Sequence, residues 1–139
     1  MFCGALPAGL AQTPTMPLHW TLDSKQRLVI AIAEGDVTRA EVENYFAVMD
    51  GAGTLPYRKL FDCTRGETSM TSEDMLAIGV QIRVRHAAGV TPGALAIVVP
   101  PDKAELVSRV LGILATADRP MRVFAEIGPA RRWIDSLPQ

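Results

Sequence analysis

A chain of 139 residues is long enough for one domain with a real core, and its 48% hydrophobic and 21% charged residues fit a folded globular protein. A formal net charge of −1 supplies no basic excess for DNA or RNA, which excludes the usual electrostatic footprint of a nucleic-acid binder. Cys3 and Cys63 lie far apart and in no ligand spacing, and no apolar run reaches the ~18 residues of a membrane span. A disulfide scaffold, a metal site and membrane insertion are therefore not expected.

The start, "MFCGALPAGLAQTPTMP", raises the question of a secretory signal. It has no Lys or Arg before its apolar part, and Pro7 interrupts that part. Residues 1–16 read instead as a disordered tail, with Met16 as an alternative start, before a domain over 17–139. From Leu18 the pattern becomes regular. "LHWTLD" alternates, with Leu18, Trp20 and Leu22 on one face, as a strand does. After the polar turn "SKQ", "RLVIAIAEG" is a nearly continuous apolar run suited to a strand covered on both faces. The two predict a hairpin.

Thr38 followed by Glu41 is a capping-box signature, and Val42, Tyr45, Phe46 and Met49 recur at helical spacing until Gly51 or Gly53 ends the helix. "YRKLFDC" predicts a third strand. "TSEDMLAIGVQIRVRHAAG" predicts a second helix, capped by Thr71 or Ser72, with Met75, Ile78 and Ile82 on its apolar face. "GALAIVV" is a fourth strand, stopped by Pro100 and Pro101. Asp102 and Glu105 cap a third helix carrying Leu106, Val107, Val110, Leu111 and Leu114. "MRVFAEI" is a fifth strand. In "GPARRWIDSL", Pro129 suits a first helical position, and Ala130, Trp133, Ile134 and Leu137 form an apolar stripe. The order β-β-α-β-α-β-α-β-α predicts one α/β domain, with a mixed sheet of about five strands and about four helices. Pairing should be mostly parallel, with an antiparallel strand added at one edge by the hairpin.

This order, with "IAEGDVTRAEVENYF" after the second strand, "YRKLFDCT" as the third and "RVFAEIGPARRWIDSL" at the end, resembles the STAS fold of anti-sigma-factor antagonists. The SpoIIAA-like group of stand-alone bacterial domains is the nearer resemblance. It implies a loop after the third strand whose serine, heading the next helix, is phosphorylated by a partner kinase so that binding is abolished. "MTSEDML" matches that place, with Ser72 at the serine. Thr71 replaces the usual Asp before it, and Glu73 and Asp74 replace the glycines that follow. Two carboxylates repel an added phosphate but suit a helix start, which favours an N-cap over a switch. Ser69, Thr71 and Ser72 are the hydroxyls of this candidate phosphorylation or partner-binding loop.

Other candidates have plain structural explanations. His86 follows Arg83 and Arg85 at the end of a helix, where cations complement the dipole. Cys63, beside Asp62 and Thr64 at a strand end, reads as a core thiol rather than a nucleophile. Arg131 and Arg132 fall in the first turn expected for the last helix, as a solvated face or an anion-binding site. No catalytic constellation or cofactor motif is present. The expected function is a non-enzymatic cytoplasmic binding or regulatory module, monomeric or homodimeric, acting on a protein partner without a cofactor. The alternative is a carrier or sensor of a small apolar, lipid-like ligand. A STAS-like sheet also resembles the core of lipid-carrying domains, and the sequence places Met70, Met75, Phe61 and Tyr57 near the same loop.

Overall fold

The opening hairpin forms as its alternation predicts. In a computed structural model describing residues 17–87, 92–103 and 120–138, β1 (Leu18–Asp23) pairs antiparallel with β2 (Leu28–Asp36). The Asp23 carboxylate accepts the Gln26 amide at 2.9 Å across the turn, and Arg27 takes the left-handed conformation that brings the chain back. The remaining elements are α1 (Arg39–Ala52), β3 (Arg58–Glu67), α2 (Ser72–Ala87), β4 (Leu95–Val98), a 3-10 turn (Pro101–Lys103), β5 (Met121–Phe124) and α3 (Ile127–Asp135). The tail 1–16 and the helix expected on Leu106–Leu114 lie outside the described residues.

The five strands stand in sequence order, β1-β2-β3-β4-β5, and every pair after the hairpin is parallel. Alternation splits the sheet into two cores. On one face, Leu28, Leu60, Ala96 and Val98 pack against Ala130 and Ile134 of α3. On the other, Leu95 and Ile97 pack against Ile78 and Ile82 of α2, while Val29, Ala31 and Ala33 pack against Tyr45 and Met49 of α1. Tyr45 anchors that second layer, meeting Trp20 and Phe61 edge-on at ring separations of 5.3 and 5.5 Å.

Three boundaries differ from the sequence reading. Strand β3 does not stop at Cys63 but continues to Glu67. Beyond a register shift between Ile32 and Glu34, its polar end "TRGE" is carried by the long partner β2 rather than by burial. Strand β5 ends at Phe124, and α3 begins at Ile127, so Pro129 is two positions deeper in the first turn than expected. Proline is tolerated there because the first amides of a helix have no intrahelical acceptor. Helix α1 follows expectation. Thr38 Oγ1 accepts the Glu41 amide at 3.3 Å, and Gly53, at φ 68°, closes the far end.

The head of β3 holds two buried cations, which sequence patterning would place in solvent. Arg58 and Lys59 are each only 4% exposed. The Arg58 guanidinium donates to the carbonyls of Gln26 (2.6 Å), Ile134 (2.8 Å) and Leu137 (3.5 Å), joining the hairpin turn to the end of α3. The Lys59 ammonium donates to the carbonyls of Thr54, Leu55 and Tyr57 at 2.7–3.0 Å, inside the turn that leads into the strand. That turn is closed from outside by Gly93. A Cβ there would stand 2.1 Å from the Tyr57 carbonyl oxygen, so only glycine fits. Replacing Arg58 by Ala removes a buried donor from three carbonyls and leaves a void, and should cost roughly 3–5 kcal/mol. Arg58→Lys should recover less than half, because an ammonium cannot span acceptors placed for a fork. Urea unfolding of both variants measures this, and equal stability of the lysine variant and the parent would refute the clamp.

Candidate functional site

The carboxyl ends of β2 and β3 and the start of α2 form one pole of the sheet, where open α/β sheets tend to bind ligands. Side chains organise its backbone. Asp36, at the end of β2, accepts the Ser69 amide at 2.9 Å and engages the Ser69 hydroxyl at 3.1 Å. The Thr68 hydroxyl donates to the Val37 carbonyl at 2.7 Å and accepts the Met70 amide at 3.1 Å. The Lys103 ammonium, from the 3-10 turn, donates to the Gly66 carbonyl.

Helix α2 is capped by Thr71. Its Oγ1 accepts the Asp74 amide at 3.1 Å, and the Asp74 carboxylate accepts the Thr71 amide at 3.1 Å, a reciprocal box. That amide, with Arg39 adding to it, holds the Asp74 carboxyl below its ordinary range. Arg39 lies 3.6 Å from Asp74 and 3.0 Å from Glu43, and the Gln81 amide donates to Glu43 at 2.7 Å. Helices α1 and α2 are thus bonded side by side. The Arg39 hydrogen bond, then that of Gln81, lowers the Glu43 pKa as well.

The three hydroxyls of the candidate loop therefore have different fates. Ser69 is committed to Asp36 and Thr71 to the cap. Ser72 is exposed and makes no hydrogen bond among the described residues. The box itself could have separated the two cap candidates, since Thr71 has an acid three residues on and Ser72 has Met75. The two arginines do not assemble an anion site at a helix start. With α3 beginning at Ile127 they stand in its second turn, and Arg131 is paired with Asp135 at 3.0 Å and reaches Gln26 at 3.5 Å.

The residues that suggested an apolar ligand belong to the core or lie elsewhere. Met75 is buried, and Met70 and Phe61 pack on the cluster beneath α2. Tyr57 precedes β3, at the opposite end of a strand of 10 residues, with Arg27 stacked on its ring at 4.9 Å. A Cys-His-Asp group is not assembled among the described residues either. Cys63 packs beneath the helices, Asp62 accepts the Thr64 amide and hydroxyl, and His19 Nε2 meets Glu34 at 2.8 Å. Burial, with the Asp62 charge adding to it, pushes the Cys63 thiol up to about 11.

No protein-family model and no curated protein matches the chain. Among solved structures, a crystal structure of an uncharacterised DUF3478-family protein from Shewanella loihica, with a SpoIIAA-like fold, is similar. It shares 16% identity at a TM-score of 0.59, over 88% of this chain and 98% of that one. The fold is SpoIIAA-like, a STAS-type mixed sheet.

Two outcomes follow for this pole and its neighbour in the core. Thr71→Ala should cost ~1 kcal/mol in chemical denaturation and Ser72→Ala less than about 0.5 kcal/mol; the reverse order would assign the cap to Ser72. In a Cys3→Ser background, Cys63 should react with a disulfide reagent at about pH 8 far more slowly in the native protein than in urea. Equal rates in both conditions would show a thiolate-competent, accessible cysteine.

Proposed function

We propose that this chain is a non-enzymatic cytoplasmic module that binds a protein partner through the pole built by residues 68–74. The observation that supports this most directly is the Ser72 hydroxyl. Thr71 caps the helix alone and Asp36 holds the loop, so Ser72 stands exposed at the head of α2 with no structural duty among the described residues. The SpoIIAA-like fold supports a binding or regulatory role at the level of fold, which is an argument by analogy. A preorganised loop also lowers the entropy lost on docking, since little remains to be ordered.

The same pole makes phosphorylation of Ser72 a disruptive event. A phosphate there would gain the amino-terminal end of the helix but would stand beside Glu73 and Asp74, with Arg39 already engaged by Asp74 and Glu43. Added negative charge should therefore disturb docking more than it disturbs folding.

The test is capture of partners from the source organism by immobilised protein. Ser72→Ala should retain the captured partner, and Ser72→Asp should weaken its binding roughly tenfold or more with an unchanged melting temperature. Absence of any specific partner, or one held equally by Ser72→Asp, would overturn the assignment of this pole.

A further inference from the structure

Helix α2 is apolar on two opposite faces. Met75, Ile78 and Ile82 are buried against the sheet. Facing away, Leu76, Val80 and Val84 are 66%, 47% and 63% exposed. They recur at i, i+4 and i+8, so they form one stripe of three turns. Scattered exposed apolar residues are ordinary, but a continuous stripe of large ones on a helix that already has its core face is not.

The charges on that outward face are arranged with a sign. Glu73 stands one turn before Leu76, and Arg83 stands beside Val84, both exposed. Neither makes an ion pair among the described residues, whereas their neighbours Asp74 and Arg85 are paired with Arg39 and Asp50. The stripe is therefore acidic at its amino end and basic at its carboxyl end. A second α2 laid antiparallel on it about a two-fold axis at Val80 would set Leu76 level with the other copy's Val84. The same placement would bring Glu73 within about one helical turn, ~6 Å along the axis, of the other copy's Arg83. Each pair would occur twice, because a two-fold interface repeats every contact. A parallel arrangement would set Glu73 on Glu73 and Arg83 on Arg83. The helix dipoles also favour the antiparallel choice.

We infer that the outward face of α2 is a homodimer interface, in which Leu76, Val80 and Val84 pack antiparallel against the same residues of a second copy and Glu73 pairs with its Arg83. This goes beyond the partner reading and does not depend on it. The apolar stripe lies carboxyl-terminal to the 68–74 loop, and Glu73 is the one residue the two surfaces share.

The measurement is sedimentation equilibrium of the full chain from about 1 to 100 μM, a span covering affinities usual for small homodimers. The parent should move towards twice its 15.0 kDa mass across this range. Val80→Asp should remain monomeric throughout, with an unchanged far-ultraviolet circular dichroism spectrum. Glu73→Arg and Arg83→Glu should each weaken the dimer roughly tenfold or more, and the double reversal should restore it, since the swapped charges again face opposite signs. A monomeric parent at every concentration would overturn the inference. So would a dimer indifferent to Val80→Asp, or one broken by Val80→Asp but unaffected by either charge reversal. A monomer that co-sediments with phosphatidylcholine vesicles would likewise overturn it, and would make the stripe a lipid-facing surface.

Discussion

Two adjacent cations at the head of the central strand, each donating to main-chain carbonyls, set the frame on which the rest of this structure rests. Alternation along β3 sends Arg58 to the α3 face and Lys59 to the α1–α2 face, and each meets main-chain carbonyls at a turn or at the end of a helix. A buried charge is costly unless its hydrogen bonds are made, and a buried carbonyl is costly for the same reason. Each group here offsets part of the other's desolvation, with the Arg58 Nε left without a partner among the described residues. The geometry fixes where β3 begins, how the hairpin turn sits on it and where α3 ends.

That arrangement places the buried cations and the 68–74 loop at opposite ends of one strand. At the head of β3, main-chain groups are locked by buried donors. At its tail, beyond the register shift against β2, the backbone is organised by short side chains, the exposed Asp36 and Thr71 and the half-buried Thr68, and by Lys103 reaching across. Hydrogen bonds of that kind are individually modest and exchange with water. The site can therefore be shaped in advance without being a major store of stability, which is where binding loops on scaffolds are usually found.

Much of the fold was legible in the sequence because burial writes itself as periodicity. The alternation of "LHWTLD", the apolar runs of β2 and β4 and the Thr38 box each led to the element observed. The buried pair was not legible, since Arg and Lys are seldom buried and nothing local to "YRKLFDC" marks them as interior. Only the distant carbonyls of Ile134 and Leu137 make Arg58 an interior residue. The tail of β3 was hidden for a related reason. "TRGE" has no apolar content, and its strand character comes from the length of β2 beside it. At the site, two neighbouring hydroxyls left the cap open. The Asp74 spacing decides for Thr71 and so frees Ser72.

The Arg58 fork has a further consequence for how the molecule comes apart. Its acceptors lie 32, 76 and 79 positions away along the chain, so one side chain joins the first turn of the domain to its last. Terminal helices commonly fray by themselves, and amide exchange at their ends is then fast and local. Here the last turn of α3 cannot detach without uncovering the guanidinium, and once uncovered the guanidinium also releases Gln26 at the far end of the sequence. Protection of the Ser136 and Leu137 amides is coupled in this way to the hairpin, and the carboxyl terminus behaves as part of the centre.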